Sequence, residues 1–174
     1  ALAGLIPWQY FAGALTRTSS SLVGNAHLIT KVYFPRLIIP LTGVLSGLVD
    51  SAIGFVLLAA LLVVYGIWPT AAILLLPAFL LLAMATALGF GLWLAALNVR
   101  YRDIGYLVPF LIQIWLYATP VAYGSTLIPE RYRWLLGLNP MTGVVEGFRW
   151  ALLGQEPPGR LFALSVTISV VVLL

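Results

Sequence analysis

The chain has 174 residues, of which 62% are hydrophobic and 8% are charged, and its mean hydropathy is +1.07. Soluble domains contain roughly 45–50% apolar and about 25% charged residues, so the composition predicts an integral membrane protein and excludes a sizeable soluble domain. The net charge of +4 rests on few residues and favours basic loops beside an anionic leaflet over nucleic-acid binding. Because the sequence contains no cysteine, a disulfide framework and a cysteine-based metal site are excluded.

The apolar runs predict an all-α, polytopic helical bundle that forms a single transmembrane domain over residues 1–174. A membrane-crossing helix needs about 20 mostly apolar residues, and five such segments are predicted. They are roughly residues 1–23, 40–65, 70–97, 104–124 and 160–174. The chain begins inside an apolar run without methionine and ends inside another that is too short to cross a bilayer. We therefore expect it to be part of a longer protein.

A polar connector at residues 25–39 separates the first two predicted spans. It carries the only lysine of the chain, Lys31, and the pair Pro35-Arg36. Proline lacks a backbone donor and disfavours helix in the residue before it, so Pro35 and Pro40 predict a break into short pieces. We interpret the connector as a bent, basic hinge that lies in the membrane interface.

The second predicted span is apolar apart from one acid, Asp50. A carboxylate in mid-membrane costs about 2.5–3.5 kcal/mol on insertion scales, so it should have a partner or contact water. Asp50 belongs to a stripe of small residues that favours the close approach of another helix. The stripe comprises Gly43, Ser46, Gly47, Ser51 and Gly54. We expect Asp50 to face protein or a water-filled path, and Arg17 of the first span to snorkel towards the interface.

The uncharged third predicted span is joined to the second by the short turn at residues 66–69, which predicts a tight hairpin. Pro77 is expected to kink this span, and Gly89 and Gly91 predict a close-packing face. A second charged connector follows at residues 98–103. Counting spans places it on the same side of the membrane as the first hinge.

The fourth predicted span, residues 104–124, combines aromatic rings with one amide. This density indicates a polar path along the helix, although an aromatic belt and helix packing explain each single ring more simply. The candidate path residues are Gln113, Trp115, Tyr117 and Tyr123. Residues 127–153 then form two weakly amphipathic stretches, each too short to cross, which predict re-entrant or surface helices. Within them Glu146 and Arg149 are spaced to pair on one helical face.

The positive-inside rule assigns both connectors to the cytoplasm. They carry one lysine and three arginines, whereas the turn at residues 66–69 carries no charge. Four arginines in residues 129–160 count against this assignment, since the rule takes little notice of the acids between them. The predicted helices of residues 127–153 lie on the outer side in this arrangement.

Several kinds of chemistry are missing from the sequence. A phosphate-binding P-loop needs a Gly-Lys pair, but the only lysine follows Thr30. A single histidine without cysteine excludes a multi-histidine or cysteine metal site, and no nucleophile adjoins His27. We therefore expect no enzyme activity, no metal and no cofactor on this chain, with an acid-only mechanism at Asp50 as the remaining open alternative.

Five sequence words occur in one order along the chain. They are Pro7-Trp8, NAHLITKVYFPRLIIP at residues 25–40, NVRYRDI at 98–104, YATPV at 117–121 and Asn139-Pro140-Met141. Together they resemble the permease subunit of type 2 ABC exporters, in the branch that exports polysaccharides such as O-antigen, capsule or teichoic acid. The resemblance extends over nearly the whole chain. Relative to that family, an N-terminal interfacial helix, the first span and the tail of the last span are missing.

The resemblance implies a six-span multi-pass half-transporter of the bacterial inner membrane that pairs with a second copy of itself. It also implies two separate nucleotide-binding ATPase subunits, which would bind ATP and Mg, and a lipid-linked glycan substrate surrounded by membrane lipid. The residues expected at the ATPase contact or cytoplasmic gate are Lys31, Tyr33, Phe34, Pro35, Arg36, Arg100, Arg102 and Asp103. Asp50 joins the four candidates of the fourth span on the translocation path. Glu146 and Arg149 are expected at an outer gate.

Other interpretations stay open at the sequence level. Interfacial anchoring or packing also explains the hinge residues, and a helix contact explains Asp50. The same scaffold could export a drug or a lipid instead of a glycan. A secondary transporter that uses Asp50 for ion coupling, and a structural membrane subunit without transport activity, belong to different functional classes.

Overall fold

Helices make up the regular structure of the part of the chain that the computed structural model describes, and no strand occurs in that part. The described residues are 2–31, 35, 37–66, 71–121, 123, 129–154 and 159–173. The helices are α1 (Leu2–Gly24), α2 (Ala26–Lys31), α3 (Ile38–Val64), α4 (Leu76–Arg100), α5 (Ile104–Ala118), α6 (Glu130–Gly137), α7 (Pro140–Leu153) and α8 (Arg160–Leu173). A 3₁₀ turn at Ala71–Leu75 leads into α4. The prediction of an all-helical chain is confirmed.

Within the described residues, two segments are long and apolar enough to cross a membrane. They are Ile38–Val64 and Ala72–Arg100, and only about a quarter of each apolar window is buried inside the protein. A helix that is apolar all round and mostly uncovered suits a lipid surrounding. The central helix α1 contains more polar residues and has most of its circumference covered by protein.

Helix α1 lies at the centre of the bundle. Phe11, Ala14 and Leu15 on this helix are almost fully buried, and α1 packs against α3, α4, α5 and α7. The close approach to α3 depends on glycine. A Cβ atom at Gly43 would lie 3.3 Å from backbone atoms of α1, and one at Gly54 would touch Ile6. The glycines of the predicted small-residue stripe, Gly43, Gly47 and Gly54, therefore form a helix contact, whereas Ser46 is exposed.

The contact between α1 and α4 is closer still. A Cβ atom at Gly91 would lie 2.5 Å from Cγ2 and 2.7 Å from Cβ of Thr18, a side chain that is fully buried. Helices can approach this closely only where one of them presents no side chain. The predicted close-packing role of Gly91 is confirmed by this contact.

The prediction for Pro40 was wrong, because Pro40 lies in the first turn of α3 and does not break the helix. Pro77 lies in the first turn of α4, directly after the 3₁₀ turn at Ala71–Leu75. The backbone N–H groups of a first helical turn have no partner within the helix, and a proline there removes no hydrogen bond. Helix α5 also differs from its prediction, because it ends at Ala118 rather than near residue 124.

The two charged connectors lie at the same end of the bundle, which we call the hinge end. Asn98, which is 4% exposed, joins three elements there. Its side-chain amide donates to the carbonyl of Ser19 in α1 at 3.1 Å, and its Oδ1 accepts from the backbone N–H of Gly105 in α5 at 3.1 Å. Asn98 itself belongs to α4. The start of α1, with Gly4 against Arg149 of α7, marks the opposite end.

Replacing Gly91 by alanine should destabilise the protein by about 1–3 kcal/mol, the usual cost of overpacking a close contact. The added methyl group meets the buried Thr18, and neither helix backbone can retreat without disturbing α3. Thermal unfolding of the purified protein in detergent measures the effect. Gly24→Ala is the matched control, since a Cβ atom there would meet nothing within 4 Å. Equal melting temperatures for both variants would contradict the packing.

Candidate functional site

The hinge between α1 and α3 is only partly described by the structure. Lys31 is the last residue of α2 and is exposed. Pro35 is also exposed, and its carbonyl accepts the backbone N–H of Ile38 at 3.0 Å, a turn that leads directly into α3. The other three candidates of this hinge, Tyr33, Phe34 and Arg36, lie outside the described residues.

The second connector projects its charges from the hinge end. Arg100, Arg102 and Asp103 are all exposed. The guanidinium carbon of Arg100 lies 5.4 Å from the ring centroid of Tyr101, and Asp103 precedes α5 without capping it through its side chain. These side chains are available to a partner that approaches this end. Asn98 lies in the last turn of α4 and connects this end to α1 through its hydrogen bond to the carbonyl of Ser19.

Arg17 and Asp50 form an ion pair across α1 and α3. Nη1 of Arg17 lies 3.5 Å from Oδ2 of Asp50, and Nε of Arg17 donates to the carbonyl of Gly43 at 3.0 Å. Their side chains are 38% and 74% exposed, respectively. The prediction that Arg17 snorkels away was wrong, because the carbonyl of Gly43 and the acid hold it against α3. The partner expected for Asp50 is thus found on the neighbouring helix.

The four path candidates of α5 and its continuation have different surroundings. Trp115 packs edge-on against Phe11 and Phe90, with ring centroids 5.0 and 4.9 Å away. Gln113 and Tyr117 are exposed. Each is two residues from Trp115 in the sequence, which corresponds to a rotation of about 200° around the helix. Both therefore lie on the face opposite Trp115. Trp115 therefore belongs to the helix packing, the simpler of the two interpretations given to these rings.

A hydrogen-bonded cluster around Asn139 connects α5, α7 and α8. Oδ1 of Asn139 accepts from the indole N–H of Trp115 at 2.9 Å and from the backbone N–H of Met141 at 3.0 Å. Its amide nitrogen donates to Oγ1 of Thr119 at 2.8 Å. The carbonyl of Asn139 accepts the hydroxyl of Ser165 at 3.1 Å. One side chain thus caps α7 and holds the end of α5, and we call this the clamp end of the bundle.

Arg149 completes the clamp end but does not pair with Glu146. Its two terminal nitrogens donate to the backbone carbonyls of Val121, at 2.6 Å, and of Tyr123, at 3.0 Å. Oε1 of Glu146 is buried and has no hydrogen-bond partner among the described residues. The predicted pair was wrong because the chain after α5 presents carbonyls that the sequence spacing did not reveal. Tyr123 in turn donates its hydroxyl to the carbonyl of Tyr117 at 3.0 Å.

Asn98, Asn139 and Thr119 belong to the sequence words that carry the resemblance, but no structural role was predicted for them. A usable signal existed for Asn139, since an Asn-Pro pair is a favourable N-cap and first residue of a helix. The long-range partners of the three side chains had no such signal. Among the described residues, no three His, Cys, Asp or Glu side chains lie close enough together to hold a metal ion.

The sequence profile of ABC-2 type transporters matches residues 1–153. The chain belongs to the ABC-2 type transporter family. Members of this family are membrane proteins of transporters. The membrane assignment made from composition agrees with it, as does the helical fold.

Two curated relatives of this ABC-2 chain carry the same name. The chain is 34% identical over 172 residues to the O-antigen export system permease protein RfbA of Myxococcus xanthus. This match covers 95% of the chain and 66% of the relative. The chain is 32% identical over 149 residues to the protein of that name from Klebsiella pneumoniae, covering 85% of the chain and 58% of the relative. The chain thus spans less than two thirds of the length of either relative.

Replacing Asn139 by alanine should destabilise the protein by about 1–3 kcal/mol, since it removes a helix cap and leaves the indole N–H of Trp115 without its acceptor. Thermal unfolding in detergent is the measurement. Asn139→Asp is the graded control, because it keeps the acceptor for Trp115 and Met141 and loses the amide that donates to Thr119 and to the carbonyl of Ala118. We expect its melting temperature to lie between wild type and Asn139→Ala. An alanine variant as stable as wild type would refute the clamp.

Proposed function

We propose that the chain is the membrane-spanning part of a permease subunit that exports a lipid-linked polysaccharide, of the O-antigen, capsule or teichoic-acid kind, across the bacterial inner membrane. The observation that carries the proposal is the 34% identity to an O-antigen export permease over 172 residues. The export activity is proposed for the whole protein, and the chain spans 66% of the length of that relative.

Five helices act as spans in this proposal, namely α1, α3, α4, α5 and α8, and a further span belongs to the rest of a six-span protein. Helix α6 has 8 residues, too few to cross the bilayer, and α7 has 14 residues, of which eleven are buried inside the protein instead of facing lipid. They serve as the outer gate. Their connection to α5 through Asn139 and Arg149 supports this role, because α7 cannot move without the end of α5.

ATP is hydrolysed on a separate subunit, two copies of which bind a permease dimer at the hinge end. Each ATPase subunit supplies the ATP and Mg site. This chain supplies the rigid surface on which the movement of the ATPase subunit acts. The exposed Lys31, Arg100, Arg102 and Asp103 support this contact. Because Asn98 joins the connector to α1, a displacement at the hinge end reaches the central helix as a shift of packed units rather than as loop motion.

Reconstitution of the full-length permease with its ATPase partner in proteoliposomes tests the proposal. We expect ATP-dependent movement of a lipid-linked glycan across the bilayer, and none with a hydrolysis-deficient ATPase. Flux that needs a proton gradient but no ATPase would identify a secondary transporter instead. ATP-driven flux of a drug or a simple lipid, with the glycan excluded, would identify a different substrate class.

Arg36→Ala should reduce the stimulation of ATP hydrolysis by transport more than it reduces expression, because it removes a charge from the proposed ATPase contact. Comparing ATPase rates with and without substrate measures the coupling. Arg160→Ala, at the beginning of α8, is the matched control and should leave coupling unchanged. Normal coupling in the Arg36 variant would remove that residue from the contact.

A further inference from the structure

Arg149 is a buried cation whose hydrogen bonds go to the backbone and not to a carboxylate. It lies on α7 and is 8% exposed. Its terminal nitrogens donate to the carbonyls of Val121 and Tyr123, in the chain that follows α5. Hydrogen bonds from a charged donor are stronger than those between neutral groups. Arg149 therefore holds this chain firmly against α7.

Glu146, on the same helix, has a carboxylate oxygen that accepts no hydrogen bond. Its Oε1 is buried and has no partner among the residues that the structure describes. Side chains three residues apart lie on one face of a helix and can meet there. A buried charge without a hydrogen-bonded partner is costly. Glu146 thus offers the Arg149 guanidinium a second partner, which the described structure does not use.

Helix α7 is held by close contacts with its neighbours. A Cβ atom at Gly147 would overlap the ring of Phe79 in α4, and one at Gly143 would lie 2.8 Å from a side-chain carbon of α8. Such contacts leave a helix little room to shift. Because Arg149 and Glu146 both belong to this helix, Arg149 can change partners by rotation about its own side-chain bonds, without movement of α7.

Among the described residues, hydrogen bonds attach the chain that follows α5 to α7 at two places. Asn139, the N-cap of α7, donates to Oγ1 of Thr119 directly after α5. Arg149 holds the part beyond it, at Val121 and Tyr123. Loss of the Arg149 contacts would free this second part from α7, while Asn139 keeps the end of α5 in place.

The central helix α1 touches the guanidinium of Arg149. A Cβ atom at Gly4 would lie 3.4 Å from Nη2 of Arg149 and 3.4 Å from the carbonyl oxygen of Val121. At the hinge end, the carbonyl of Ser19 in α1 accepts from Asn98. A displacement of α1 therefore changes the space around the donor and its acceptor together. Movement at the hinge end has a direct mechanical route to Arg149.

We propose that Arg149 and Glu146 form a two-position latch of the outer gate. In the described structure the latch is closed, with Arg149 on the carbonyls of Val121 and Tyr123. In the open position the guanidinium pairs with Glu146, and the chain that follows α5 is released from α7. Neither position satisfies every buried group, as expected of an element with two states. The inference rests on the proposed function, since it assigns the movement that opens the outer gate.

A thiol at Val121 reports the position of the latch. Val121 is 2% exposed, and the chain has no native cysteine. Val121→Cys is placed in the full-length permease, with any cysteine outside this chain replaced, and the permease is assembled with its ATPase. We expect a water-soluble maleimide to label it about tenfold faster during ATP hydrolysis than without ATP, because the open position is a minor state at rest. Labelling that ATP does not change would overturn the proposal.

The two latch residues should shift this labelling in opposite directions. Glu146→Gln keeps the shape of the side chain and removes the charge that attracts Arg149, so labelling should stay at the ATP-free rate during ATP hydrolysis. Export should fall about tenfold, the effect of roughly 1.4 kcal/mol. Arg149→Gln cannot reach both carbonyls, so Val121→Cys should be labelled rapidly without ATP. A change in the same direction in both variants would refute the latch.

Thr142→Val is the matched control for Glu146→Gln. Thr142 lies one turn before Glu146 on the same face of α7. It is fully buried, and its hydroxyl also has no hydrogen-bond partner within the described part of the chain. Its replacement should leave labelling and export unchanged. Equal losses of export in the two variants would overturn the proposal, because they would show a general effect of polar groups on this face.

Thermal unfolding separates the latch from a role in the fold alone. Glu146→Gln should melt no lower than wild type, because it removes a buried charge without a partner. A lower melting temperature together with the loss of export would show that Glu146 only supports the fold, and would overturn the latch.

Failure of the proposed function gives a different result. ATP-dependent labelling of Val121→Cys in a complex that moves no glycan would support the latch and refute the polysaccharide substrate. Glycan export without any ATP-dependent labelling would support the proposed function and refute the latch.

Discussion

The close packing of α1 against α3 and α4 is the constraint on which the rest of the structure depends. Without a hydrophobic driving force between helices in lipid, association relies on van der Waals contact and on hydrogen bonds between helices. Gly43 and Gly91 let the backbones approach, and the Tyr10 hydroxyl adds a hydrogen bond to the carbonyl of Val44 at 3.1 Å. These contacts fix the rotation of α1 about its own axis. That rotation determines which side chains of α1 face each of the other helices.

Helix α1, held in this orientation, connects the two ends of the bundle. At the hinge end the carbonyl of Ser19 is held by Asn98, and at the clamp end Gly4 lies 3.4 Å, measured to an added Cβ atom, from Arg149. The same guanidinium holds the chain that follows α5. A force applied at the exposed connectors therefore acts on α1, α5 and α7 together, because these helices are held to one another.

The sequence predicted the helical segments well because long apolar runs and interfacial charges are local signals. The stripe of small residues in α3 was readable for the same reason, since a periodicity needs no knowledge of the partner. The break expected at Pro40 was wrong, because a proline has opposite consequences in the first turn and in the middle of a helix. The partners of Asp50, Asn139 and Arg149 could not be predicted, because each lies on an element 20 or more residues away.

Labelling of single cysteines from one side of the membrane tests most directly whether the hinge end faces the cytoplasm and can receive an ATPase. The variants are Lys31→Cys, Arg102→Cys and, at the exposed turn after α3, Tyr65→Cys. We expect a membrane-impermeant maleimide to label Tyr65→Cys in intact spheroplasts, and Lys31→Cys and Arg102→Cys only in inverted vesicles. Labelling of Lys31→Cys or Arg102→Cys from outside, or at opposite sides of the membrane, would contradict this expectation.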